Sequence, residues 1–240
     1  MDASKSTDGS GDEGNYEDFF SAELFLNLDY VKCDFDFGVV KQQLLCSTAA
    51  STDHDLTGQV VWPVSVFLAW ARTALTDGNE IVLKLLEDNA DHSAPESCIA
   101  LPLLWGEQAS ADAFEKSFPH PVDVLVGADV VCWPMLVKPI LQTIKHLMLR
   151  APAPLETVFY CGFVCRAQST EDLLFREARA AGFRFERIPD TTFLPSPRPA
   201  NVESRQELQL LVFRLDLEAA NWNEPVQFSD AELADKQTAC

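Results

Sequence analysis

At 240 residues the chain is long enough for one well-buried α/β domain or at most two small ones, and 47% of it is apolar. A formal net charge of −19 argues against a nucleic-acid phosphate backbone as partner, because such binding needs clusters of Lys and Arg. The charge fits a basic protein partner, or an acidic cytosolic protein with no electrostatic message at all. Residues 1–18 are polar and acidic and read as a disordered tail. Within them "GSGDEG" fits the dinucleotide-binding pattern letter for letter. No strand precedes it, and Asp8, Asp12, Glu13, Glu17 and Asp18 would repel a phosphate, so the match is a coincidence.

From Phe37 to Cys46 the chain has strand character, and "TGQVVW" offers a turn glycine before β-branched residues. "PVSVFLAWAR" predicts a short helix with Pro63 at its first position, where a missing N–H costs nothing. "TALT" predicts a brief strand, and "NEIVLKLLEDN" a helix capped by Asp77 or Asn79. "SCIALPLLW" follows as a buried strand and "ADAFEKSF" as a helical turn. "VDVLVGAD" is the clearest strand, nearly all apolar and ending in an acid. "PMLVKPILQTIKHLML" is helical, with a kink expected at Pro139. "ETVFYCGFV" is a strand, and "STEDLLFREARAAG" a helix with Ser169 or Thr170 as cap and Gly182 as stop. "FRFERI" and "ELQLLVFRL" are two strands joined by a Pro-rich loop without a helix.

Strand–helix alternation predicts a parallel sheet covered on both faces. Two last strands without a crossover helix must pair antiparallel or leave the sheet. Ligands of open α/β sheets sit beyond the carboxyl ends of the strands, where Asp77, Trp105 and Asp129 all fall. The seven cysteines lack disulfide or zinc spacing, and Cys161 and Cys165 are separated by three residues rather than two. His54, His92, His120 and His146 are scattered, so no metal is expected. No basic-then-apolar leader and no membrane-spanning stretch stand out, and the expected location is cytoplasmic or nuclear.

"TGQVVWPVSVFLAWA", "LTDGNEIVLKLLEDN", "LPLLWGE" and "VDVLVGADVV", in that order, resemble the successive signatures of the family-16 protein-lysine methyltransferases. These are seven-strand, class I enzymes dependent on S-adenosylmethionine, and the resemblance covers roughly residues 37–215. It implies an α/β, Rossmann-like sheet, mostly parallel with an antiparallel last strand. It also implies a methyltransferase-like domain over 19–215 and a C-terminal tail over 216–240. By the same resemblance Trp62 would lie beside S-adenosylmethionine, where a ring face attracts a sulfonium. A core aromatic is the alternative for Trp62. Asp77 would accept hydrogen bonds from the ribose hydroxyls, or serve only as a helix cap. Trp105 would border the adenine, or merely pack at a strand end, and Ala128 would line the cofactor pocket. Asp129 heads the family's D-x-x-Y signature beside the point of methyl transfer, but Cys132 stands at the tyrosine position. The implied substrate is a lysine of a basic or lysine-presenting protein, with no nucleic acid, no membrane and a monomeric chain.

The resemblance has a gap. After the helix ending at Arg72 the family has a central strand, a glycine-rich E-x-G-x-G turn, a crossover helix and only then the next strand. This chain runs "AWARTALTDGNE", so the piece expected between Arg72 and Thr73 is absent. Sheet neighbours stand about 4.8 Å apart, so the loss leaves a slot about 10 Å wide between "TALT" and "VDVLVGA". The alternative is slippage of "TALT" into the central place. The gap favours a second reading of the chain, a catalytically inactive methyltransferase-like module that binds a basic partner.

Overall fold

A computed structural model of the chain describes residues 30–36, 41–47, 72–93, 97–193 and 208–228. The acidic leader, "TGQVVW", Trp62 and nearly all of the "PVSVFLAWAR" helix lie outside the described residues. An N-terminal hairpin pairs β1 (Tyr30–Asp36) with β2 (Lys41–Ser47) antiparallel. The strand expected from Phe37 is thus described only from Lys41, and β1 was not anticipated. After it come β3 (Thr73–Asp77), α1 (Glu80–Ser93), β4 (Cys98–Pro102), α2 (Gln108–Ser117) and β5 (Val124–Ala128). The second half contains α3 (Pro134–Arg150), β6 (Val158–Val164), α4 (Gln168–Ala180), β7 (Phe183–Ile188), one-turn α5 (Asp190–Phe193) and β8 (Leu208–Leu215). The fold is mixed α/β.

Local chemistry explains the helix boundaries. Asn79 Oδ1 accepts the N–H groups of Ile81 and Val82 at 2.9 and 3.4 Å, while Asp77 Oδ1 accepts that of Asn79 at 2.8 Å. Asn79 is therefore the cap, with Asp77 shaping the turn before it. Neither Ser169 nor Thr170 caps α4: the helix opens one residue earlier, after an extended Ala167 that supplies no side-chain cap. Gly182 ends α4 at φ +85°, its N–H reaching Arg179 O at 3.0 Å, as a left-handed helix stop requires. The "ADAFEKSF" turn is a full ten-residue helix. Pro139 lies inside α3, which runs on unbroken to Arg150.

Among the described residues the strands form separate sheets. β3 and β4 are parallel, with Thr73 opposite Cys98 and Asp77 opposite Pro102. The other sheet has the order β5-β6-β8-β7. β5 and β6 are parallel, and β8 runs antiparallel between β6 and β7. β5, β6 and β7 therefore run in one direction and β8 alone runs against them, the antiparallel last strand between two neighbours that the sequence led us to expect. β3 does not slip beside β5. β3–β4 and the β5–β8 sheet share no backbone ladder among the described residues.

The core explains why the second half holds together. Phe159, Phe163, Phe183, Phe213, Leu211 and Leu215 from the four-stranded sheet are almost wholly buried, against Val137, Leu141 and Met148 of α3 and Leu174 of α4. At Gly127 an added Cβ would stand 3.1 Å from the Phe159 ring, so the glycine lets that ring approach β5. A smaller cluster of Leu103, Phe114, Phe118 and Leu147 joins β4 and α2 to α3. Trp105 and Leu125 pack against both clusters, so the two sheets are bridged by side chains, with no backbone ladder between them among the described residues. β5 carries the cost: Val124 and Val126 are 50% and 36% exposed, although their sequence reads as a buried central strand.

The ordered structure continues beyond Leu215. Residues 216–228 fold back on the helices: Trp222 packs on the main core, and Asn221 Nδ2 donates to Ala180 O at 2.8 Å. Lys145 Nζ donates to Asn221 O, and Gln142 Nε2 to Gln227 O, both at 2.8 Å. No helix among the described residues is long and apolar enough to cross a membrane.

Candidate functional site

The parallel pairing of β3 and β4 brings Asp77 and the turn containing Trp105 to the same carboxyl end. That turn is tied down on several sides. Leu103 N–H donates to Asp77 O at 3.0 Å, Leu104 N–H to Ser110 Oγ at 2.8 Å, and Gly106 N–H to Thr143 Oγ at 2.9 Å. Trp105 is therefore held half-buried against the apolar clusters.

A second carboxyl end lies after β5 and β6. Ala128 closes β5, and Asp129 follows with φ +57°, a left-handed conformation that few residues other than glycine adopt. Its N–H donates to Gly162 O at 2.7 Å, which carries the pairing one step past the strand. The turn buries the Asp129 carboxylate and aims it at Arg166, just beyond β6. The guanidinium donates from both terminal nitrogens, at 2.7 and 2.5 Å, one to each carboxylate oxygen. A planar fork matched to a carboxylate is the strongest geometry available to this pair. Strand-end Arg166 was missed by sequence reasoning. Its only signal was position: a lone arginine two residues past the end of a buried strand, at the edge where Asp129 falls.

Cys132 sits close by and donates its thiol to Asp129 O. Burial, then the Asp129 charge, raises the Cys132 pKa, while Arg166 opposes the shift. Cys161 lies deeper, fully buried, with its thiol pushed up to about 12 chiefly by desolvation. These thiols are neutral at physiological pH, and Cys132 offers a small polarizable wall rather than a nucleophile.

A buried polar network lies at the same carboxyl edge, where β8 begins opposite the end of β6. Glu171 accepts Gln168 at 2.7 Å, Gln209 at 2.8 Å and Arg187 at 3.1 Å. A buried carboxylate with three donors is satisfied, and it ties α4 to β7 and β8.

Of the residues singled out from the sequence, Asp77 and Trp105 share one carboxyl end, and Ala128, Asp129 and Cys132 share the other. Trp105 connects the two through its packing. Trp62 lies outside the described residues. The turn between Asp77 and α1 has the single glycine Gly78, where an added Cβ would meet Leu104 at 2.8 Å. No family model matches the chain, and no curated protein matches it significantly.

Proposed function

We propose that the chain is built on the plan of an S-adenosylmethionine-dependent protein-lysine methyltransferase whose cofactor grip is weakened by the missing glycine turn. The observation that carries this reading is β8, set antiparallel between β6 and β7 beside a parallel β5–β6 pair, with acid and aromatic residues at the carboxyl ends. S-adenosylmethionine would supply the methyl group as a sulfonium. The chain's own part is alignment and exclusion of water. A lysine amine, with an ordinary pKa of about 10.4, must lose its proton before it can attack, and burial favours that loss. Arg166 uses one lone-pair direction on each Asp129 oxygen, which leaves others for an incoming amine. Asp129 thus orients the amine, and Cys132 forms part of the wall beside it.

A second reading, an inactive module that binds a basic protein, is favoured by one specific observation: among the described residues β3 and β5 have no strand between them. Calorimetry with S-adenosylmethionine on the full chain, followed by transfer of a labelled methyl group to lysine-rich proteins, separates the two. Weak, saturable binding with lysine labelling supports the enzyme reading. Absence of binding at millimolar cofactor leaves the module reading.

A further inference from the structure

α2 and α3 bring together three residues that the proposed methyl transfer does not use. Asp112 and Glu115 stand three residues apart on α2 and so share a face. His146 reaches them from α3, and one potential ligand atom of each of the three lies within 4.8 Å of the others. His146 is only 7% exposed. Its Nε2 and Glu115 Oε1 are both buried, face each other at 3.3 Å, and have no hydrogen-bond partner beyond that contact. Two ligands bound to zinc at about 2.0–2.1 Å and tetrahedral angles stand about 3.3–3.4 Å apart. A buried pair at ligand–ligand distance with no further partner is what a shared cation would leave.

The surroundings are compatible with an ion. Arg150 binds the other side of the acids, reaching Glu115 Oε2 at 3.0 Å and Asp112 Oδ1 at 3.9 Å, and its side chain is largely exposed. Gln108 donates to Asp112 Oδ1 at 2.8 Å. A recess of about 440 Å³ is bordered by His146 together with Gln108, Arg150 and Trp222.

We propose that Asp112, Glu115 and His146 form a binding site for one zinc-class divalent cation, ligated by one oxygen of each carboxylate and by imidazole Nε2. Water completes the coordination on the open Asp112 side. The ion links α2, which follows β4, to α3, which follows β5. It is therefore a staple between the two sheets that no backbone ladder joins among the described residues.

The test uses the full chain, freed of metal with a chelator and titrated with Zn2+ by calorimetry and thermal melting. One equivalent should bind and raise the melting temperature. Asp112 is exposed, so Asp112→Asn should fold normally and weaken binding roughly tenfold or more. Arg150→Ala, which removes a competing cation, should tighten it. Co2+ should give visible bands without intense thiolate charge transfer. The proposal is overturned if Zn2+ fails to bind, if the Asp112→Asn/Glu115→Gln double variant binds as well as the parent, or if the Co2+ spectrum reports cysteine ligands.

Discussion

Asp129 and Arg166 make the most consequential pair in the second half of the molecule. The carboxylate is buried and the guanidinium partly exposed, so breaking the pair leaves a charge with little water to receive it. Removing one partner of a fully buried pair costs about 3–5 kcal/mol. Arg166 is 41% exposed, so we predict a loss of about 2 kcal/mol for Arg166→Met. Urea unfolding measures this, and Arg166→Lys should recover little, since an ammonium cannot form the fork. A loss under about 0.5 kcal/mol would show that the pair is no more than a surface contact. The neighbouring thiols give a second prediction. Cys161 is neutral when folded up to a pKa of about 12, whereas an unfolded thiol ionises near 9.0. The folded value is the higher one, so this contribution is intact below pH 9.0 and is lost as pH rises towards 12. Alkaline unfolding should therefore steepen above pH 9.0, and Cys161→Ala should flatten that limb. In the native protein at pH 8 a thiol-specific reagent should leave Cys161 unlabelled, and rapid labelling would contradict the burial.

Among the elements, α3 has the unusual position. Nearly every residue from Val137 to Met148 is buried, including Thr143, Lys145 and His146, because residues 216–228 cover the face that would otherwise meet water. Burial lowers the Lys145 pKa, and Asn221 O accepts from its ammonium. The cover meets the end of α4 at Gly182, where an added Cβ would stand 2.9 Å from Trp222 Cα. Gly182 therefore answers two demands, a left-handed φ and close backbone approach. We predict that Gly182→Ala costs about 2 kcal/mol or more, since the conformation alone costs a residue with a Cβ about 1–2. Gly78→Ala is the comparison. Its new Cβ would meet the far end of the flexible Leu104 side chain, so the loss should stay below about 1 kcal/mol. Equal losses in the two variants would mean that backbone strain at Gly182 does not matter.

For the whole molecule, the decisive feature is the separation of β3 from β5. Sheet neighbours stand about 4.8 Å apart, and the resemblance to the family-16 methyltransferases implies one further strand between them. We predict that inserting a strand, an E-x-G-x-G turn and a helix between Arg72 and Thr73 unites the two sheets and buries Val124 and Val126. The turn would also bring backbone N–H groups to the methionine carboxylate, which Asp77 and Trp105 cannot hold. Several hydrogen bonds at about 1 kcal/mol each amount to about 3–5 kcal/mol, and tenfold in affinity is about 1.4 kcal/mol. S-adenosylmethionine should then bind the repaired chain roughly two to four decades more tightly than the parent. Equal affinity in the two forms would show that the seam plays no part in cofactor binding.

Local chemistry made much of the fold legible. Apolar runs marked β5, β6 and β8, and Asn79 and Gly182 marked helix ends, because caps, stops and buried strands depend on neighbours close in sequence. The strand-end position of Asp129 was legible for the same reason. Its partner Arg166 was not, since only the parallel register of β5 and β6 brings residues so far apart to one edge. The cluster of Asp112, Glu115 and His146 was hidden likewise: α2 reads as a mere turn, and the histidine comes from another helix. Residues 216–228 looked like a tail because their sequence is polar and turn-rich, and their packing depends on what α3 presents to them. The sequence alone determined β3 to β8 and the helices α1, α3 and α4, because each depends on neighbours close in the chain. Tertiary structure alone decided that, among the described residues, the β3–β4 pair and the β5–β8 sheet are bridged by side chains, because dispersion and apolar burial need no backbone ladder.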